Sequence, residues 1–366
     1  METSSASTGQ TRRTRIVCIS DTHNCTIKLP KGDVLIHAGD LTNSGSYSEL
    51  SKAIQWLEKT DFEVKIVVAG NHDVTLDQPF YSRNWERFHS TEAQDTSRCL
   101  SLLQSSESII YLRHEPATVR LRDSKGPQTG FKVFGSPYSP GSGLWAFGYD
   151  DTDDADDKRS EPAASKIWNS IPSDIDILVT HTPPRTYCDT CPRTGQPLGC
   201  EHLRQTITRV RPRLHVCGHI HHGRGSRRVR WRAGASGYVE ASVEQWEDSN
   251  PDPKSTKMSL VDLTARGRNR PLDFYDPEPN LRQDQTRRSI HAQTNSLSTG
   301  NVYTTPESCI GPTSSPQRGS SILGNDGRLE TCIVNCAVVA TNWPHVGGKR
   351  LNKAIVVDMY LPTWQC

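Results

Sequence analysis

Seven side chains able to bind a metal ion stand in short polar clusters. Asp21 and His23 lie in Ser20-Asp-Thr-His23, Asp40 follows Gly39, and Asn71 lies in Gly70-Asn-His-Asp73. His181 follows Thr180, and His219 and His221 belong to Gly218-His-Ile-His221. Carboxylates, an amide oxygen and imidazoles together suit borderline divalent ions such as Mn, Fe or Zn. Such a set supports phosphoester hydrolysis with two ions about 3.5–4 Å apart, one activating water and both clamping phosphate oxygens. Cations that close need an anionic bridge, and Asp40 is the bridging candidate, because Gly39 lets the backbone approach the ions. Asp21 and His23, two positions apart in an extended loop, turn toward one ion. Asn71 binds without adding charge, and in His219-x-His221 the middle residue points away. With two such ions bound, water or hydroxide between them would be expected to attack phosphorus in line with the leaving oxygen, and no protein nucleophile would be needed.

Each cluster follows a short apolar run: residues 15–19, 34–38, 64–69, 175–179 and 214–217. Short, β-branched and bounded by glycine or polar residues, these runs predict buried strands. Between the second and third, residues 47–59 place Leu50, Ala53, Ile54 and Leu57 at helical spacing. Strand, helix, strand predicts a crossover unit of an α/β domain. Further helices are expected at 165–171 and 201–210, and further strands near 131–135, 228–231 and 355–361. In open α/β sheets chemistry gathers beyond the carboxyl ends of the strands, where all of these clusters fall.

In this order the blocks resemble the five signature motifs of the calcineurin-like metallophosphoesterase superfamily. The stretch Leu29–Thr42, with Gly135-Ser-Pro137, Trp145-Ala-Phe147, His181-Thr-Pro-Pro184 and Gly199-Cys200, is similar to a smaller subfamily within it. That subfamily is the metallophosphoesterase domain-containing (UPF0046-like) proteins, which include fungal members and brain-expressed animal proteins with cyclic-nucleotide phosphodiesterase activity. The resemblance covers residues 15–225 and resumes near 331–361. It implies a four-layer α/β-β/α sandwich of two mixed β-sheets flanked by helices, and two divalent metal ions. It also implies roles: Asp21, His23 and His221 on one ion, Asn71, His181 and His219 on the other, and Asp40 between them. His72 would sit beside the phosphate and protonate the leaving oxygen or stabilise charge, with Asn71 and His181 also at the substrate. Asn43 stands where much of the superfamily has Asp, so it is not an expected ligand.

Bulk properties bound the rest. Only 34% of the 366 residues are hydrophobic, so one core domain with a sizeable unpacked portion is expected. That domain would comprise 15–242 and 331–366, with a flexible tail at 1–14 and a mostly disordered insertion at 243–330, in which Met258–Leu263 could pair as a short strand. A formal net charge of +2 argues against a dedicated nucleic-acid or membrane-surface protein. The 11 scattered cysteines read as reduced thiols, and the polar first residues carry no secretory h-region. With no apolar run of membrane-spanning length, a cytoplasmic protein is expected. The expected partner is a small phosphoester. Superfamily nuclease activity, or a protein partner bound through the insertion, stand as alternatives.

Other residues have plainer readings. His37 and His215, inside apolar runs, read as core histidines able to orient a ligand. Asp73 reads as orienting its loop, and His222 as facing solvent. Cys188-x-x-Cys191 with Cys200 lacks the second ligand pair of a zinc site, so the loop 185–200 is expected to shape the substrate pocket. The run Arg224–Arg232 reads as an exposed strand with alternating arginines, and residues 150–161 as a solvated acidic loop.

Overall fold

The computed structural model describes residues 10–141, 143–149, 163–235, 237–264, 328–341, 345 and 347–364. The strands in chain order are β1 (Thr11–Ile19), β2 (Val34–Ala38), β3 (Val64–Val68), β4 (Ile109–Tyr111), β5 (Glu115–Arg120), β6 (Gly130–Ser136), β7 (Ser139–Pro140) and β8 (Gly148–Tyr149). They continue with β9 (Ile177–Thr180), β10 (Leu214–Cys217), β11 (Gly225–Gly234), β12 (Gly237–Gln245), β13 (Ser259–Asp262), β14 (Glu330–Asn335) and β15 (Ile355–Pro362). The helices are α1 (Tyr47–Glu58), α2 (Gln78–Phe88), α3 (Thr96–Gln104), α4 (Ala163–Asn169) and α5 (Glu201–Val210).

A six-stranded sheet runs β13-β15-β1-β2-β3-β4 and a seven-stranded one β12-β11-β14-β10-β9-β6-β5. Both are mixed. In the first, β1, β2, β3 and β4 are parallel and β15 is antiparallel to β1. In the second, β14, β10, β9 and β6 are parallel, with antiparallel β11 and β5 on either side.

The two-residue period of a strand sorts the apolar residues into layers. Ile16, Cys18, Ile36 and Ile66 meet Val133, Val179, Val216 and Val334 between the sheets. From the same strands, Val17, Ile19, Leu35 and Val67 face outward onto Leu50, Ile54 and Leu57 of α1 and Leu103 of α3. On the far side, Leu178, Val229 and Ile333 pack on Trp168 of α4 and Leu203, Ile207 and Val210 of α5. Helices, sheet, sheet and helices make the expected four layers. The start of α1 is fixed by a capping box, in which Glu49 N–H donates to Ser46 Oγ and Ser46 N–H to Glu49 Oε2.

Three segments differ from the sequence expectation. Residues 11–14, expected in a flexible tail, lengthen β1 by pairing with 359–362 of β15, with Thr14 buried against Thr129. The stretch 243–330 contributes the end of β12, the start of β14, and β13, which pairs with β15 as the run Met258–Leu263 suggested. Arg228 of the basic run is buried and paired with Glu330, which also meets Arg230, because β11 lies inside its sheet between β12 and β14. The acidic run 150–161 and residues 265–327 lie outside the described residues. Among the described residues no helix is long and apolar enough to cross a membrane.

Candidate metal centre

Five parallel strands end at one edge of the sandwich, and each is followed by one of the polar clusters. Asp21 and His23 follow β1, Asp40 follows β2, Asn71 follows β3, His181 follows β9, and His219 and His221 follow β10. The turns are sharp: Asp21, His23, Asp40 and His219 all have positive φ, at 53°, 43°, 55° and 64°. Such conformations are costly for residues other than glycine and persist where surrounding structure enforces them. Here the enforcement is visible. The Asp21 carboxylate accepts the His219 N–H at 3.0 Å, tying the first sheet to the second. The Asp40 carboxylate accepts the His72 N–H at 2.9 Å. Asp73 accepts from the N–H groups of Gly70, Leu41 and Thr42 and from the Thr42 hydroxyl, orienting its loop as expected.

The seven side chains converge. His23 Nε2 lies 3.3 Å from His221 Nε2 and 3.5 Å from Asp40 Oδ2, and His221 Nε2 lies 3.4 Å from Asp21 Oδ1. On the other side, His181 Nε2 lies 2.9 Å from Asn71 Oδ1 and 3.4 Å from Asp40 Oδ1, and His219 Nδ1 lies 2.8 Å from Asn71 Oδ1. Asp40 thus stands between two groups, one oxygen toward each. Asp21, His23 and His221 form one cluster of metal-binding type, and Asp21, Asp40 and His181 another; His72 joins His23 and Asp40 in a third.

The donor set fits a cation. Backbone carbonyls can only accept hydrogen bonds, so those of Thr42, Ala38 and Thr341 take the Nδ1–H of His23, His181 and His221. The Nε2 atoms therefore all point inward, at oxygens and at one another, and each offers a lone pair to a cation once its ring is deprotonated. Ligand atoms held about 2.1 Å from a shared ion are about 3.0–3.4 Å apart, close to the spacing seen here. Charge agrees. Burial pushes the Asp40 carboxyl up, but His181, His72 and His23 hold it well below the usual carboxylate range. Burial likewise opposes ionisation of Asp21, which His221 and His181 bring down to about 2. Burial would lower His181, but Asp40 raises it to about 9, whereas burial keeps His23 and His219 down at about 4.

The centre opens into a cavity of about 730 Å³. His72 stands at its side. Its Nδ1–H donates to the Asn43 carbonyl at 2.8 Å, and its ring lies against Trp145, with centroids 3.9 Å apart. Ser139, Pro140, Gly141, Ala146 and Gly148 line the cavity together with Trp145. The loop 185–200, expected there, instead lines a neighbouring cleft with His222. It is drawn aside because Asn335 binds the Cys188 carbonyl and the chain closes back at Pro184 and Cys200. Among the described residues no cluster of metal-binding type includes Cys188, Cys191 or Cys200, and the nine described cysteines are unbridged.

The core histidines are held by hydroxyls. His37 Nε2 meets Thr22 Oγ1 at 2.9 Å and His215 Nε2 meets Thr180 Oγ1 at 2.8 Å, each threonine next to a site aspartate or histidine. Two residues escaped the sequence reading. Asn335 is fully buried and directs its amide to the carbonyls of Ile220, Cys188 and Gly218, at 2.9, 3.0 and 3.3 Å, bracing the loop that carries His219 and His221. Its signal was present, since it is a polar residue closing an apolar strand. Lys349 reaches the cavity from a segment without a motif, and no signal in the sequence marks it.

Comparison with known proteins agrees with this geometry. The family profile for calcineurin-like phosphoesterases matches residues 14–223. Metallophosphoesterase domain-containing protein 1 of Homo sapiens is 40% identical over 237 residues, 63% of this chain and 66% of that protein. A protein of Emericella nidulans named probable rhamnogalacturonate lyase C is 43% identical over 219 residues, 59% of this chain and 18% of that protein. A UPF0046 protein of Caenorhabditis elegans is 34% identical over 216 residues, 58% of this chain and 52% of that protein. The chain therefore spans less than two thirds of the length of each of these relatives. The profile covers more than half of the chain, including every one of the converging clusters: this chain belongs to the calcineurin-like phosphoesterase family.

Proposed function

We propose that this chain is a metal-dependent phosphoesterase acting on a small phosphoester, with two divalent ions held by the seven converging residues. The observation that carries the reading is the two-sided arrangement about Asp40, with His23 on one side and His181 on the other. Asp21, His23 and His221 would hold one ion, Asn71, His181 and His219 the other, and Asp40 both. Divalent ions bound there supply acidified water and positive charge for the phosphate oxygens. The chain's own residues do the rest. His72, fixed through Nδ1 by Asn43, keeps Nε2 for the leaving oxygen or for charge forming on the phosphoryl group. Trp145 covers the opposite face of His72 and narrows access of bulk water. Asn71 lines the cavity and would turn its amide N–H groups to a phosphate oxygen, whereas His181, fully buried with Nδ1 on the Ala38 carbonyl, would serve the ion alone.

A cyclic nucleotide suits the cavity as a substrate, because a planar base could lie along the Trp145 wall while its phosphodiester meets His72. The test is turnover of bis-p-nitrophenyl phosphate and of a panel of cyclic nucleotides by protein reconstituted with Mn, Fe or Zn. Metal-stimulated turnover that disappears in Asp40→Ala supports the reading. Fully metallated wild-type protein that cleaves no phosphoester rejects it.

A further inference from the structure

After β14 the chain leaves the second sheet and crosses to the first. Val338 and Val339 donate their N–H groups to the carbonyls of Ser20 and Asp21, and Ala340 and Asn352 tie the outgoing and returning segments together. This crossing delivers Lys349 to the mouth of the cavity, where its Nζ donates to the His23 carbonyl at 2.9 Å and to Asn43 Oδ1 at a longer 3.4 Å. Both acceptors are neutral, and among the described residues no carboxylate pairs with it. An ammonium group has three donors, so at least one stays available to the cavity. Asn43 also fixes His72 through its backbone carbonyl. One residue therefore holds both the imidazole expected beside the phosphate and an ammonium that has no carboxylate partner among the described residues.

We propose that Lys349 is a substrate-binding residue that pairs with a non-bridging oxygen of the phosphoester next to His72. The proposal rests on the phosphoesterase reading and adds to it a contact from outside the segment matched by the family profile. Lysine serves here as a mobile point charge, which attracts the anion and strengthens its binding without joining the chemical step.

The experiment compares Lys349→Gln and Lys349→Arg with wild type, all loaded with manganese. Glutamine keeps an N–H for the His23 carbonyl but has no charge, so it separates electrostatics from bracing. In Lys349→Gln the KM for bis-p-nitrophenyl phosphate should rise about tenfold with kcat within about threefold, and the Kd for inorganic phosphate by calorimetry should rise about tenfold. Lys349→Arg should stay near wild type in both, and manganese content should be the same in all three. Unchanged KM and phosphate affinity in the glutamine variant overturn the proposal and leave an active wild type standing. Loss of manganese or of kcat alone also overturns it, since Lys349 would then brace the His23 loop. Wild-type protein that neither turns over diesters nor binds phosphate removes the phosphoesterase reading itself.

Discussion

Asn71 Oδ1 lies 2.9 Å from His181 Nε2, across 110 positions of sequence, while Nδ1 of the same imidazole is engaged by the Ala38 carbonyl 2.9 Å away. The Asp40 carboxylate keeps the His181 ring protonated in the absence of a metal, so its Nε2–H donates to Asn71 Oδ1, and a divalent ion would take that proton's place between the two atoms. A comparable close approach of two candidate ligand atoms recurs between His23 and His221 on the other side of Asp40. The following outcomes are expected from this arrangement.

His72 is expected to act on the substrate while leaving metal binding intact. His72→Asn should lower kcat by about 10²–10⁴-fold, the range for loss of a positioned acid–base group. Manganese content, read by elemental analysis, should stay at the wild-type level. A variant that loses the metal in parallel with its activity would make His72 a ligand, a role its closeness to His23 and Asp40 also allows.

Gly70 is required for close approach. A methyl group there would fall 2.2 Å from Asp40 Oδ1, 2.4 Å from the Asp40 nitrogen and 2.7 Å from His181 Cε1. The obstruction is backbone and site, with no flexible side chain to yield. Gly70→Ala should therefore displace Asp40 and cost at least about 10²-fold in activity, since misplacement of about 1 Å is enough for that. Wild-type rates in a folded Gly70→Ala protein would mean that the Asp40 position is not critical.

Asn335 should act through the metal loop. Asn335→Asp is similar in size but cannot donate to the carbonyls of Ile220 and Cys188. Its manganese affinity, from titration of the apoprotein, should fall about 10–100-fold, as is usual when groups behind metal ligands are lost. Unchanged affinity would show that the loop holds its shape without the brace.

Buried histidines should make the apoprotein acid-sensitive. His215 is ordinarily protonated near 6.5, but burial pushes its folded-state pKa down to about 3. Between those values the unfolded chain binds more protons, so stability is full above pH 6.5 and is lost as pH falls toward 3. The slope from this one group is at most about 1.4 kcal/mol per pH unit. His215→Gln should flatten the dependence of the urea midpoint on pH over that window in EDTA-treated protein. His37, pushed down to about 4 by burial, keeps part of it. An unaltered slope in His215→Gln would assign the acid sensitivity elsewhere.

Much of the site was legible because local signals coincide there. The five strands that present the expected ligands are short apolar runs, and each ligand follows within a few residues of the last strand position. The layers were legible for a similar reason, since Ile16 and Cys18 alternate with Val17 and Ile19 between two apolar faces. What escaped depends on distant contacts. The extension of β1 to Thr11 is decided by a partner strand more than three hundred positions away, in a segment whose own pattern is Thr and Arg. Burial of Arg228 follows from β14 returning beside β11 to supply Glu330. The pocket wall went to residues 139–141, Trp145, Ala146 and Gly148 and away from 185–200 because Asn335 draws the latter aside.

The most direct measurement is anomalous scattering from a crystal soaked in manganese. Two peaks are expected at the strand ends, both within coordinating distance of Asp40, one also beside His23 and the other also beside His181. A map with no peak there, or with manganese bound away from Asp40, would contradict a metal centre built on these strand ends.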